Sequence, residues 1–210
     1  LDTPAKELKE RLAVYSGKRF MYLRRQMSPL QAEEILELKI RGVYADKELR
    51  RFYPAGEVTS HILGFTNIEN RGQEGLELAY NQWLEGHNGS NRVVKDLYQR
   101  TIKTLNTVEE ARPGKDIMLS IDLRIQHHAY RVLKETVTKH RADAGTAVVL
   151  DVQTGEILAM VNQPAFNPNN RNTIKPGTVR NRAVTDVFEP GSTVKTFTML
   201  AALESGKYQP

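Results

Sequence analysis

Ser192 and Lys195 are the two residues whose types and spacing could do chemistry together. A serine hydroxyl is a poor nucleophile at neutral pH and needs a base within hydrogen-bond reach. A lysine three residues on lies one helical turn away, on the same face. The segment 193–203 reads as a helix, so Ser192 stands at a helix N-terminus, where the backbone carries partial positive charge. That helix is apolar almost all round (Val194, Phe197, Met199, Leu200, Ala201, Leu203), the pattern of a buried central helix. Both effects disfavour a charged ammonium, so the expected Lys195 is a neutral amine able to take the serine proton. Free N–H groups at the same helix start can bind the oxyanion of an acyl intermediate. The chemistry this arrangement suits is acyl transfer through a serine ester.

Ser-x-x-Lys is a short string, and Ser192 could equally be a helix cap with Lys195 on the surface. Of the seven serines, only Ser192 has a lysine three residues on, and an unpaired ammonium within an apolar helix is costly. Spacing alone leaves both readings open. Glu189 and Arg182 lie close by in sequence, but neither has an obvious proton-transfer partner, so both read as structural. The five histidines show no metal-ligand spacing, and His127 and His128, being adjacent, point to different faces of their helix. There is no cysteine, which removes thiol nucleophiles, disulfides and cysteine metal sites. No metal or cofactor is expected.

Several elements must position these residues. Thr3 and Pro4 open a first helix, with Leu8, Leu12 and Tyr15 as its apolar stripe and Gly17 as its stop. Residues 18–25, with Phe20 and Tyr22, read as a strand; the basic pairs Lys18-Arg19 and Arg24-Arg25 read as a solvated face. Ser28-Pro29-Leu30-Gln31 combines an N-cap, a first-turn proline and a capping-box glutamine for a helix running to about Ile40, with Gly42 after it. Residues 52–56 form a turn and 61–65 a short apolar segment. A helix over 73–86 would place Leu76, Ala79, Tyr80 and Trp83 on one face. Residues 91–106 alternate as a strand pair turning near Tyr98-Gln99-Arg100.

Pro113-Gly114 is the strongest punctuation in the chain, and it divides residues 1–112 from 113–210. Beyond it, 117–121 reads as a strand. Asp122 caps a long amphipathic helix with Ile125, Ala129, Val132, Leu133 and Val137 inward. Residues 146–152 and 156–161 form a hairpin through Gln153-Thr154-Gly155, and their apolar runs predict a sheet covered on both faces. The Pro- and Asn-rich stretch 162–180 is a long loop suited to a site rim. The fold class is α+β.

The net charge of +5 allows an anionic partner, but bases and acids are mixed along the chain and the aromatics form no stacking platform, so nucleic acid is not expected. No apolar run is long enough to span a bilayer. The opening Leu1-Asp2-Thr3, with no initiator methionine, reads as part of a longer polypeptide whose export signal or anchor lies elsewhere.

Glu189-Pro190-Gly191-Ser192-Thr193-Val194-Lys195 closely resembles the nucleophile motif of class B penicillin-binding proteins, in particular the division-specific members of Gram-negative bacteria. Arg51-Phe52-Tyr53-Pro54-Ala55-Gly56, His61 with Gly64-Phe65, and Gly72-Gln73-Glu74-Gly75-Leu76-Glu77 resemble hallmarks of that family's non-catalytic pedestal. Arg51, Glu74 and Glu77 are then expected to be polar contacts that fix the pedestal. Thr154 to Met160 is similar to the first hairpin of the transpeptidase domain, and Asn181-Arg182-Ala183 to the segment leading into the nucleophile.

The resemblance implies a pedestal, residues 1–112, followed by the first part of a β-lactamase-like serine transpeptidase domain, residues 113–210. It implies a septal peptidoglycan D,D-transpeptidase. Ser192 would attack the D-Ala–D-Ala stem peptide, hold it as an ester and pass it to a neighbouring amine, and β-lactams would acylate the same serine. It further implies an N-terminal membrane anchor outside these residues, a place on the periplasmic side of the inner membrane, and partners that include a lipid II-polymerising glycosyltransferase and other division proteins. The family's Ser-x-Asn and Lys-Thr-Gly motifs do not occur in the sequence, so these residues alone are expected to be inactive. Gln99 stands where the family usually has glycine. A Ser-x-x-Lys β-lactamase or β-lactam sensor, and a non-catalytic docking module, are the alternative readings.

Overall fold

A computed structural model describes residues 3–18, 20–97 and 101–209, and the chain falls into two compact units, Leu1–Arg51 and Phe52–Pro210. In the first unit, α1 (Ala5–Val14) and α2 (Pro29–Glu37) bury no residue. The N-cap of α1 is Pro4, without a side-chain cap, rather than the expected Thr3. Ser28 does cap α2, its Oγ accepting from the Gln31 N–H at 3.3 Å, with Pro29 at N1 as the sequence predicts. The helix ends at Glu37, earlier than Ile40, because Lys39 already takes a left-handed φ of 49°. The described residues of 18–25 form no strand. They are held by local polar contacts instead: Arg11 Nη2 donates to the Tyr22 carbonyl at 3.2 Å. Arg25 pairs with Glu48 at 2.9 Å and stacks on the Tyr22 ring, so it is not simply a solvated cation.

The second unit begins with a 3-10 turn, Gly56–Thr59, running into α3 (Ser60–Leu63). The expected single helix over 73–86 is two short ones, α4 (Gly75–Ala79) and α5 (Asn81–Leu84), with Tyr80 between them. The Asn81 side chain accepts from the Gly72 N–H at 2.7 Å, which ties the start of α5 back to the preceding loop. Leu78, Tyr80 and Trp83 are exposed, and the buried residue is Glu77. Its carboxylate accepts from the Tyr53 hydroxyl at 3.3 Å, as the polar-anchor reading of Glu77 predicts, whereas Arg51 is exposed and Glu74 only half-buried. A Cβ on Gly64 would sit 1.8 Å from the Glu74 carbonyl oxygen. Gly64 also has φ 77°, so only glycine lets these two backbones meet.

β1 (Ser90–Lys95) and β2 (Thr101–Glu109) form an antiparallel ribbon. The turn expected at 98–100, Gln99 included, lies outside the described residues. Residues 117–121 form no strand. Asp122 N–H donates to the Leu158 carbonyl at 3.0 Å, and the chain then turns into α6 (Leu123–His140). Asp122 caps that helix as predicted, accepting from the Arg124 and Ile125 N–H groups. The Arg124 guanidinium and N–H hold its carboxyl down at about 2. The helix buries Gln126 and Tyr130, while Val132 is exposed.

β3 (Gly145–Leu150) and β4 (Ile157–Gln163) pair antiparallel, Ala147 opposite Val161. They are joined by the predicted hairpin, with Gly155 at φ 76° and Asp151 accepting from the Gln153 and Thr154 N–H groups. The sheet is not covered on both faces: along β3 burial alternates, leaving Thr146, Val148 and Leu150 exposed. A long loop follows, with a cis Gln163–Pro164 bond and a short 3-10 turn, Arg171–Thr173. It leads to α7 (Arg182–Thr185) and, after the 3-10 turn Gly191–Val194, to α8 (Lys195–Glu204).

The core is small and unusually polar. Tyr53, Ala159, Val161 and Phe166 are buried beside Ser60, His61, Thr66, Gln126 and Asn162. Gln126 is fully buried. Its amide donates to the Val58 carbonyl at 2.6 Å and the Met160 carbonyl at 2.9 Å and accepts from the Met160 N–H at 2.8 Å. Together with Asp122, it occupies the edge of β4 that β3 does not, doing the work of a neighbouring strand.

Candidate active site

Ser192 lies in the 3-10 turn that precedes α8, and Gly191 enters the turn at φ 56°. The Thr193 N–H donates to the Pro190 carbonyl at 3.2 Å, and the Lys195 N–H to the Ser192 carbonyl. Lys195 is the first residue of α8, and its N–H bond back to Ser192 is of the i to i+3 kind in which side chains three apart tend to eclipse. Among the described residues no hydrogen bond joins the hydroxyl to the ammonium. The expected burial of α8 is not found: Phe197 is 70% exposed, Met199 63%, Leu200 54%, and Lys195 is exposed as well. The burial of Lys195 that the apolar pattern of the helix predicts is therefore not found among the described residues.

The segment before Ser192 is anchored far more firmly. The Asn162 Oδ1 accepts from the Ala183 N–H at 2.8 Å and its Nδ2 donates to Asn181 Oδ1 at 2.9 Å. His61 Nε2 contacts the Thr178 carbonyl at 2.8 Å; since a carbonyl only accepts, that nitrogen carries the hydrogen. Burial pushes the His61 imidazole below its ordinary value, partly opposed by this bond, with Arg182 nearby pushing the same way as burial. The His61 ring meets Phe166 edge-on at 5.4 Å.

On the outer side of α7, Arg182 pairs with Asp186 at 3.0 Å and Arg180 with the same carboxylate at 2.6 Å. The hydrogen bond from Arg180 comes first among the causes that hold the Asp186 carboxyl below its usual range. Arg182 is therefore a structural ion-pair partner, as the sequence suggests. Glu189 is exposed and makes no hydrogen bond or ion pair among the described residues.

A second polar cluster joins α6 to the turn at Glu57. The Tyr130 hydroxyl donates to Glu57 Oε2 at 2.6 Å and Lys134 pairs with the same oxygen at 3.2 Å. The Tyr130 bond is the chief reason the Glu57 carboxyl titrates low. Sequence patterning passes over Gln126 and Asn162 because it searches for apolar stripes, and it marks His61 only through the family resemblance. The available signal is the polar pair Asn162-Gln163 closing an apolar run. Among the described residues no group of three or more His, Asp or Glu could hold a metal ion, and no helix is long and apolar enough to cross a membrane.

The penicillin-binding protein dimerisation domain pattern matches residues 1–119, and the penicillin-binding protein transpeptidase domain pattern residues 145–210. The chain is 44% identical over 208 residues to the probable peptidoglycan D,D-transpeptidase PbpC of Pseudomonas aeruginosa, covering 99% of this chain and 37% of that one. It is 43% identical over 206 residues to the peptidoglycan D,D-transpeptidase FtsI of Escherichia coli K12, covering 98% and 35%. It thus spans little more than a third of the length of these relatives. Among solved structures, a peptidoglycan synthetase from Bifidobacterium adolescentis superposes over 99% of this chain and 40% of its own, with a TM-score of 0.63 and 25% identity. Penicillin binding protein 3 of Mycobacterium tuberculosis superposes over 76% of this chain and 32% of its own, with a TM-score of 0.64 and 29% identity.

Proposed function

The chain belongs to the penicillin-binding protein family, and from that premise we propose that it carries the nucleophile of a peptidoglycan D,D-transpeptidase. Residues 1–112 serve as its pedestal and 113–210 open its transpeptidase domain. Ser192 Oγ attacks the carbonyl between the two terminal D-alanines, passing its proton to Lys195 Nζ. The C–N bond breaks, the terminal D-alanine leaves with a proton on its nitrogen, and the rest of the stem peptide stays as a Ser192 ester. An amine of a neighbouring stem peptide then attacks the ester, forming the cross-link and returning the serine. A β-lactam enters by the same attack, its ring C–N bond opening to leave a slow ester.

The reading is carried by the Ser192-Thr193-Val194-Lys195 spacing at the 3-10 turn that opens α8, in a chain that matches the family's two domains in order. The match to the dimerisation domain disfavours a β-lactamase. We extend the reading to the septum because of the similarity to a protein named FtsI. The partners would be stem peptides, a lipid II-polymerising glycosyltransferase and other division proteins, with this region in the periplasm behind a membrane anchor. The missing Ser-x-Asn and Lys-Thr-Gly motifs leave residues 1–210 alone without most of the oxyanion and carboxylate contacts, so they should not turn over substrate. The test uses the full-length protein with a fluorescent penicillin and a chromogenic cephalosporin. The wild type should retain covalent label while Ser192→Ala loses it, and cephalosporin hydrolysis should be slow. Label retained by Ser192→Ala, or rapid hydrolysis, contradicts the proposal.

A further inference from the structure

Asn162 is 1% exposed at the penultimate position of β4, where it and Gln163 close an apolar run, and an apolar side chain there would be less costly unless both its amide groups were used. Both are used on α7. This helix has four residues, and its N-cap residue, Asn181, makes no side-chain cap bond. The orphan N–H of its second residue, Ala183, is instead capped from β4 by Asn162 Oδ1. The Asn162 Nδ2 takes Asn181 Oδ1, and that leaves the Asn181 amide nitrogen to reach Met160 Sδ at 3.3 Å and the His61 carbonyl at 3.5 Å. His61 in turn binds the Thr178 carbonyl, three residues ahead of Asn181. A closed set of buried polar contacts thus fixes both ends of residues 178–183 to β4 and α3.

Downstream the anchoring stops. From Val187 to Gln209 only Ala202 is even half-buried, and Val187 and Phe188 are 98% and 78% exposed. Among the described residues, the Asn162 contact with Ala183 is therefore the last hydrogen bond from another element before Ser192, nine residues on; the later pairs of Arg180 and Arg182 with Asp186 are internal to the segment. We propose that Asn162 is a positioning residue for Ser192, setting through α7 where the 186–191 segment delivers the nucleophile, with Asn181 and His61 bracing it. The proposal rests on the reading of Ser192 as the acylated residue.

The test measures acylation of the full-length protein by a β-lactam, separating the noncovalent affinity from the first-order acylation constant, for wild type, Asn162→Leu and Asn162→Asp. Displacing a reacting group by a fraction of an ångström to an ångström lowers rates by about tenfold to a hundredfold. Asn162→Leu should therefore lower the acylation constant at least about tenfold, with affinity little changed. Asn162→Asp keeps the acceptor for Ala183 but faces Asn181 Oδ1 with a second oxygen. Only when protonated does it regain a donor, so its acylation constant relative to wild type at each pH should rise on acidification. The titratable or charged groups nearby are His61, Arg182 and Asp186, and all three are common to both proteins. Wild-type acylation constants in variants that melt cooperatively would overturn the proposal, as would a pH-independent ratio for Asn162→Asp. Loss of folding in both variants would overturn it too, placing Asn162 in the frame alone. If the wild type is not labelled at Ser192 at all, it is the underlying reading that fails, a distinct result.

Discussion

Two stretches of the second unit are built on opposite plans. The frame formed by residues 52–84, α6, β4 and the loop to α7 is cross-linked by buried polar side chains: Gln126 to three backbone groups, Asn169 to both backbone groups of Tyr53, and Tyr53 to Glu77. The Ser192 segment has almost none of this, and α8 turns Phe197, Met199 and Leu200 to solvent. The frame's geometry is fixed by hydrogen bonds that cannot be made any other way. Ser192 has its local geometry from a 3-10 turn. The pedestal-like motifs from Phe52 onward thus act inside the same compact unit as the transpeptidase-like strands: Tyr53 holds the loop after β4 through Asn169, and Glu57 and Val58, just past the motif, hold α6.

If that contrast holds, substitutions in the frame should cost far more stability than those on α8. Gln126→Leu leaves the Val58 carbonyl and both Met160 backbone groups buried without partners, and unpaired buried groups cost about 1–3 kcal/mol each before relaxation. Chemical denaturation of the variant should show a loss of about 3 kcal/mol or more; a loss below about 1 kcal/mol would mean the β4 edge is satisfied in another way.

A smaller effect follows from His61. Its folded value lies below the ordinary 6.5 because the buried ring resists charge. Its contribution is fully present above that ordinary value and is lost as pH falls from there through the lower folded value. Melting curves across this range should show wild type losing stability faster than His61→Gln on acidification. Parallel curves would show that the imidazole is not the group that titrates. The smallest effect is expected at Phe197→Ser in the residues described here, within about 0.5 kcal/mol, as for an ordinary surface position. A large loss would show that α8 is covered.

What was legible in the sequence was whatever is settled within a few residues. Asp122 and Ser28 announce their helices because a cap is a contact over three residues, and Gly155 announces its hairpin because a left-handed φ selects glycine. What depends on a distant partner was not. Residues 117–121 have strand composition, but Ser120 reaches the Ile157 carbonyl only through its hydroxyl, and the backbone bond to Leu158 comes from Asp122, where the chain turns into α6. The 73–86 stretch has helical periodicity, yet α4 and α5 break at Tyr80, with Asn81 drawn to Gly72. The all-round apolar character of α8 predicts burial that nothing among the described residues supplies. The anchors Gln126 and Asn162 were invisible because a polar residue in an apolar pattern declares its partner only in three dimensions.

The most direct test of the central claim is peptide mapping by mass spectrometry of the full-length protein after brief exposure to a penicillin. The account predicts a single acyl adduct on Ser192, abolished by Lys195→Ala and left in place by Phe197→Ser. An adduct on another serine, or undiminished acylation of Ser192 in the lysine variant, would contradict it.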